Sequence, residues 1–310
     1  MEEISGVNKV QLLQAMMGSV LPVFILAALG WVARRVLKAD VKDPARVAVY
    51  ILVPGLVANS ILNAQMVAGE LGKIVSFSLL MLGLMIALTL VLGRLLGWKP
   101  VERSAAVLST AFMNSANYGL PVVLFAFGQA GFDRAAVYVV VQTLLMYTVA
   151  VFFAARGNLQ WRDALLAVFR LPLLWAAAGA MAVRLLGFPL PEPLTKTIGL
   201  LANGALSLLV IILGMQVAGI QLRSFTLRVG VPVLLRLVVS PLAAMGLVAW
   251  LQPEPLTAKV LVLESAMPAA VNTTLLAVQF DTDAEAVSAV TLITTLLSLV
   301  TVAFWVWYLQ

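Results

Sequence analysis

Long apolar runs alternate along the chain with short segments that carry most of its charge. A membrane-spanning helix needs about 20 consecutive apolar residues. Ten stretches approach or exceed that length: 11–34, 45–66, 71–97, 102–127, 132–155, 164–187, 194–219, 227–251, 257–280 and 285–309. Their apolar residues cover nearly every helical face, and no segment alternates as a half-buried strand does. The pattern predicts an all-α membrane protein with ten transmembrane helices.

Composition strengthens this reading. Of 310 residues, 62% are hydrophobic and 11% charged, whereas soluble domains carry roughly 45–50% apolar and about 25% charged residues. A water-soluble core cannot absorb that excess, so lipid is the expected solvent. Cys and His are both absent, which removes thiolate nucleophiles, disulfides, Cys/His zinc sites and imidazole acid–base chemistry. An intramembrane enzyme would be left with Ser and Glu264, so an enzyme is not expected. No nucleotide fingerprint or phosphate-binding loop is present either. The net charge of +6 is scattered over interhelical loops without a dense patch, which argues against nucleic acid and for membrane orientation. The start, Met1-Glu2-Glu3, lacks the basic stretch of a cleaved signal peptide.

Basic residues near span ends stay on the cytoplasmic side. One side collects thirteen of the twenty: Arg34, Arg35, Lys38, Lys42, Arg46, Arg94, Lys99, Arg103, Arg156, Arg162, Arg170, Arg223 and Arg228. The other holds six, Lys9, Lys73, Arg134, Arg184, Lys196 and Lys259, while Arg236 falls inside the eighth span. This distribution puts both termini outside the cytoplasm, in a plasma or bacterial inner membrane. Trp98, Trp161, Trp250, Trp305 and Trp307 sit near predicted span ends, where the expected role is interfacial anchoring.

The two halves of the chain echo each other. Leu21, Pro22, Ala27, Ala28 and Arg34 recur 150 positions later as Leu171, Pro172, Ala177, Ala178 and Arg184. At similar offsets Pro44, Leu52 and Gly55 meet Pro193, Leu201 and Gly204, and Thr143-Leu144-Leu145 meets Thr295-Leu296-Leu297. The expected organisation is a first five-helix repeat at 1–157 and a second at 158–310. Because five is odd, the second copy enters the membrane from the opposite side, as in many secondary transporters.

Corresponding spans of the two halves are interrupted. The fourth contains Asn114-Ser115-Ala116-Asn117-Tyr118-Gly119-Leu120-Pro121 and the ninth Glu264-Ser265-Ala266-Met267-Pro268-Ala269-Ala270-Val271-Asn272. Proline removes a backbone donor, and Gly and Asn tolerate unusual dihedrals, so each helix is expected to open near its middle. Polar backbone freed at the bilayer midplane must face protein or a water-filled cavity, and a matched pair of such openings points to a binding site rather than to ordinary proline kinks. Glu264 is costly at membrane depth and suits a coupling cation or proton, or else an ion pair with Arg236. Asn114, Asn117 and Asn272 suit a substrate or an ion, or else serve as interhelical glue. Pro54, with Gly55 and Asn59, either lines the path or kinks the second span.

NSANYGLPV followed by FAFG, YILVPGL in the second span, and ESAMPAAVN followed by SAVTLITTLLSLVT resemble the auxin efflux carrier family over nearly the whole chain. The resemblance implies ten helices in two inverted five-helix repeats, with broken helices four and nine crossing. It further implies a scaffold of spans 1, 2, 6 and 7, a moving transport part of spans 3–5 and 8–10, elevator-like motion, and a homodimer formed through the scaffold. Family cargo includes auxin in plants and dicarboxylates such as malate or malonate in bacteria. The candidate substrate contacts at and beside the interrupted spans are Pro54, Asn114, Asn117, Tyr118, Gly119, Pro121, Pro268 and Asn272. Ion coupling falls on Asn114, Glu264, Ser265 and Met267. Glu264 with Met267 is also similar to a sodium-binding stretch of the bile acid:sodium symporters, although Pro268 stands where those proteins tend to carry an amide. Apart from a possible Na+ at Glu264 and Met267, no cofactor is expected. The function expected is secondary transport of a small organic anion; an anion channel or a membrane receptor on the same scaffold is the alternative.

Overall fold

The computed structural model describes residues 14, 16–63, 68–155, 169–220 and 226–310. Lys9, Arg156, Arg162, Arg223, Trp161, the junction at 157 and 158, and parts of the predicted first, second and sixth spans lie outside the described residues. Seven helices among the described residues are long and apolar enough to cross a membrane: α1 (Met17–Arg35), α2 (Lys42–Asn63), α3 (Gly69–Leu95), α5 (Ser115–Ala154), α7 (Glu192–Ala218), α8 (Leu227–Leu251) and α11 (Ala284–Leu309). Shorter helices complete the order: α4 (Pro100–Ala111), α6 (Pro172–Leu186), α9 (Pro255–Ser265) and α10 (Val271–Gln279). No named strand occurs among them; the one extended pairing is an isolated bridge between Met113 and Ala269.

Local chemistry sets the helix ends. Proline occupies the first turn of α4, α6, α7 and α9, where its missing N–H is not needed and its fixed φ favours helix entry. Lys99 caps α4 through its N–H, which donates to Glu102 at 2.8 Å. At 40 residues, α5 is too long for one crossing, and it bends at Gly128, whose φ of 67° and ψ of −166° only glycine adopts without strain.

Helices α1, α2, α6 and α7 form one packed group. Gly30 of α1 faces the Ile211 carbonyl of α7, and Gly214 of α7 faces the Ala27 carbonyl of α1, so closely that a Cβ at either position would overlap backbone. In lipid, helices associate by such close packing of small residues, since the solvent supplies no hydrophobic drive between them. Around the opened helices a second group packs: α3, α4, α5, α8, α9, α10 and α11. One end of that group is tied by ions. Arg134 meets Glu254 at 2.5 Å, the Glu254 N–H donates to Glu70 at 3.0 Å, and Lys73 donates to the Gln252 carbonyl at 2.9 Å.

Large apolar side chains face outward, including Trp175, Leu185, Leu200 and Trp250 at 62%, 76%, 73% and 71% exposure, as a lipid-solvated surface requires. Trp305 departs from its expected interfacial role. It is buried at 7% exposure and packs edge-on against Phe304 and Tyr308, because its face of α11 turns inward.

Candidate functional site

Two opened segments cross inside the second helix group. Residues 112–114 separate α4 from α5, and residues 266–270 separate α9 from α10. They run antiparallel and share two backbone hydrogen bonds, Asn114 N–H to the Pro268 carbonyl at 2.9 Å and Ala270 N–H to the Phe112 carbonyl at 3.0 Å. This pairing satisfies donors and acceptors that the interrupted helices leave free. Pro268 lacks an N–H and contributes its carbonyl. A further donor, the Ala269 N–H, is taken up by Thr294 of α11 at 3.1 Å.

The first opening lies upstream of the motif centre read from the sequence. Asn117, Tyr118, Gly119 and Pro121 are already helical, because α5 starts with a π-helical turn at Ser115–Gly119 in which the Asn114 carbonyl accepts from both Tyr118 and Gly119, at 3.2 and 3.0 Å. Pro121 falls in the opening turns of a helix, where proline is tolerated, so the break moves toward Phe112.

A cavity of about 80 Å³ adjoins the crossing, room for several waters or one small acid. Asn114, Ser115, Ala116 and Asn117 line it from one opened helix, Ala270 and Asn272 from the other, and Gln142, Thr143 and Tyr147 from farther along α5. No charged side chain lines it among the described residues. Instead, the N-terminal turns of α5 and α10 meet there. The first N–H groups of a helix have no intrahelical partner and form its positive end, so two such ends make a neutral-sided cavity attractive to an anion. A wider cavity of about 680 Å³ lies between α1, the start of α2, α7, α10 and α11, with both signs of charge in its wall, Arg34 and Lys42 beside Asp40 and Glu285.

Glu264 stands in the last turn of α9, fully buried, with neither carboxylate oxygen hydrogen-bonded. Its carboxylate lies against Gly119, in the space where a side chain at that position would start, and Ser115 is beside it. The Ser115 and Ser265 hydroxyls are also buried and make no well-aligned hydrogen bond, Ser115 facing the Glu264 carboxylate and Ser265 the Tyr138 hydroxyl, and the Asn114 side-chain nitrogen is buried without one as well. The ion pair with Arg236 does not form. Arg236 donates instead to the Thr110 carbonyl at 2.8 Å, to the Ser240 hydroxyl and to the Ser265 carbonyl.

The profile of a family described as "Membrane transport protein" matches residues 15–163 and 160–306. This chain belongs to that family. It is the family of the auxin efflux carriers that the motifs resemble, a family of transporters and not of enzymes. A relative from Methanothermobacter thermautotrophicus, an uncharacterised transporter, is 31% identical over 298 residues, covering 93% of this chain and 96% of its own length. A second uncharacterised transporter, from Methanocaldococcus jannaschii, is 26% identical over 217 residues, 68% of this chain and 70% of that protein.

Within this family member, Asn114, Asn117 and Asn272 line the small cavity together, whereas Pro54, Tyr118, Gly119, Pro121, Pro268, Met267, Ser265 and Glu264 do not. Tyr118 is buried against Phe24, ring centroids 6.0 Å apart, and accepts from Ser298 at 3.1 Å. Pro54 is buried within α2, and Met267 is buried with its N–H on the Glu264 carbonyl at 3.2 Å. Gln142 escaped the reading of the sequence. It is buried, reaches the cavity and donates to the Tyr138 hydroxyl at 3.0 Å, which in turn donates to the Met113 sulfur at 2.7 Å. An amide in the middle of an apolar span was the signal available for it.

Proposed function

We propose that this membrane transport protein is a secondary carrier of a small organic anion, an auxin-like acid or a mono- or dicarboxylate. The observation that carries the reading is the meeting of two half-helix N-termini on one cavity that holds Asn114, Asn117, Asn272 and Gln142 and, among the described residues, no charged side chain. Carboxylate oxygens accept from exposed N–H groups and amide side chains there, and the positive helix ends balance the charge.

Joining α4 to the first arm of α5, dividing α5 at Gly128 and joining α9 to α10 gives ten crossings, which we read as two inverted five-helix repeats. In support, α4 and α9 are of similar length, each starts with proline, and each ends at an opened segment. The packed group of α1, α2, α6 and α7 is taken as the fixed scaffold and dimer interface, with the other group sliding against it as an elevator. Under the basic-side rule both termini lie outside the cytoplasm. The wide cavity lined by Arg34, Asp40, Lys42 and Glu285 then opens inward.

Glu264 serves the coupling step. A buried carboxylate with both oxygens unpaired is costly unless a proton or a cation neutralises it. The unpaired buried groups nearby are mainly oxygens, Glu264 with the Ser115 and Ser265 hydroxyls, and oxygen is the donor that hard cations take. These residues would hold Na+, which would supply the charge that makes uptake follow an ion gradient.

Uptake and counterflow of malonate, malate and indole-3-acetate in proteoliposomes, under imposed sodium or proton gradients, test the proposal. Wild-type protein is expected to give saturable uptake of at least one acid and counterflow of the same acid. Glu264→Gln is expected to keep counterflow but lose the response to the gradient. Unsaturable current without counterflow would assign the scaffold to a channel, and gradient-driven uptake by Glu264→Gln would remove Glu264 from coupling.

A further inference from the structure

We infer that Arg236 is a tethered cation that closes the carbonyl ends of both opened helices, so that the crossing is built around a counter-charge the chain carries itself. Arg236 is fully buried, in a π-helical turn of α8 at Leu235–Val239. Besides the Ser240 hydroxyl on its own helix, its acceptors belong to two helices far apart in sequence: the Thr110 carbonyl, next to the last residue of α4, and the Ser265 carbonyl, the last residue of α9. Ser240, one turn further along α8, adds its own hydrogen bond to the Ser265 carbonyl at 2.7 Å.

None of these acceptors is an acid. Each helix C-terminus, however, carries about half a negative charge on carbonyls without an intrahelical partner. Two such ends sum to about one unit, matched by a single guanidinium whose planar fork can address several oxygens together. Lysine would supply the charge without the fork, and a neutral side chain would leave two negative helix ends facing each other in a medium without water. The crossing is thus divided by charge: its positive ends face the small cavity, and its negative ends face Arg236. A mobile cation at the Thr110 and Ser265 carbonyls is redundant, so coupling chemistry is confined to the Glu264 side.

Arg236→Lys, Arg236→Gln and Arg236→Met, each made together with Glu264→Gln to silence ion binding there, separate charge from packing. Thermal unfolding of the purified proteins in sodium chloride and in choline chloride at equal ionic strength is compared with hydrogen exchange at the Asn114 and Ala270 amides. The lysine variant, which keeps the charge but loses the fork, is expected to unfold between the Glu264→Gln parent and the neutral variants, by the same amount in both salts. The glutamine and methionine variants are expected to lose several degrees and to exchange faster at both amides, and the glutamine variant is expected to recover part of its loss in sodium but not in choline. Failure of these two to accumulate in membranes, while the lysine variant does, supports the same conclusion. A methionine variant as stable as the lysine variant, a lysine variant as damaged as methionine, or a glutamine variant indifferent to the salt would overturn it.

Discussion

Gly119→Ala is the sharpest test of how the crossing seats its acid. A Cβ at Gly119 would lie 2.7 Å from one Glu264 carboxylate oxygen and 2.8 Å from its Cδ, and closer still to the other oxygen. Carbon contacts relax at about 3.5–4.0 Å, so the carboxylate must retreat by roughly 1 Å. Glu264 is at the far end of a flexible side chain, but it is fully enclosed, and crowding a packed interior costs about 1–3 kcal/mol. The cost belongs to one pair of residues, which a double-mutant cycle isolates. Gly119→Ala, Glu264→Ala and the double variant would be unfolded in mixed micelles and their stabilities compared. Removing the carboxylate gives the new methyl its space, so the double variant should be more stable than the sum of the single losses by about 1–3 kcal/mol. Additivity within about 0.5 kcal/mol would mean that the two groups do not share that space, and the seating of Glu264 described above would be wrong.

Other expectations follow from the same packing. Gly128→Ala must place a side chain at φ 67°, ψ −166°, which costs about 1–3 kcal/mol; unfolding temperature reads the loss, and an unchanged value would deny the bend. Gly30→Ala and Gly214→Ala each drive a methyl into a backbone carbonyl of the partner helix, so both should lower stability more than Gly179→Ala, which meets open space on α6; equal effects would exclude the close α1–α7 approach. Asn117→Leu and Asn272→Leu each remove a hydrogen-bonding group from the small cavity, worth about 1.5–3 kcal/mol against an anion or roughly 10–100-fold in apparent affinity. Saturation curves in proteoliposomes would register this as a raised KM, and unchanged curves would move the binding site elsewhere.

Much of this fold was legible in advance because its causes are local. Runs of about 20 apolar residues report the solvent of each segment directly, and prolines 121 and 268 with their neighbouring small and amide residues marked two places where a helix cannot continue unaided. The position of the first break was not legible to the residue. Whether Pro121 ends a helix or begins one depends on what satisfies the Thr110 and Phe112 carbonyls, and their partners, Arg236 and Ala270, come from the other half of the chain.

Side-chain partnerships divide in the same way. Glu264 and Arg236 are the conspicuous opposite charges within adjacent apolar spans, and an ion pair between them was the alternative the sequence left open beside coupling at Glu264. Folding does not pair them, because the guanidinium finds the carbonyl ends of α4 and α9 while the carboxylate turns toward Gly119. Composition and hydropathy alone determined that the chain is helical and lives in lipid, since transfer free energy is a property of each residue. Only the tertiary structure decided which freed backbone groups meet across the crossing, where Gln142 reaches and what Arg236 neutralises, since these hydrogen bonds join groups that the chain itself holds far apart.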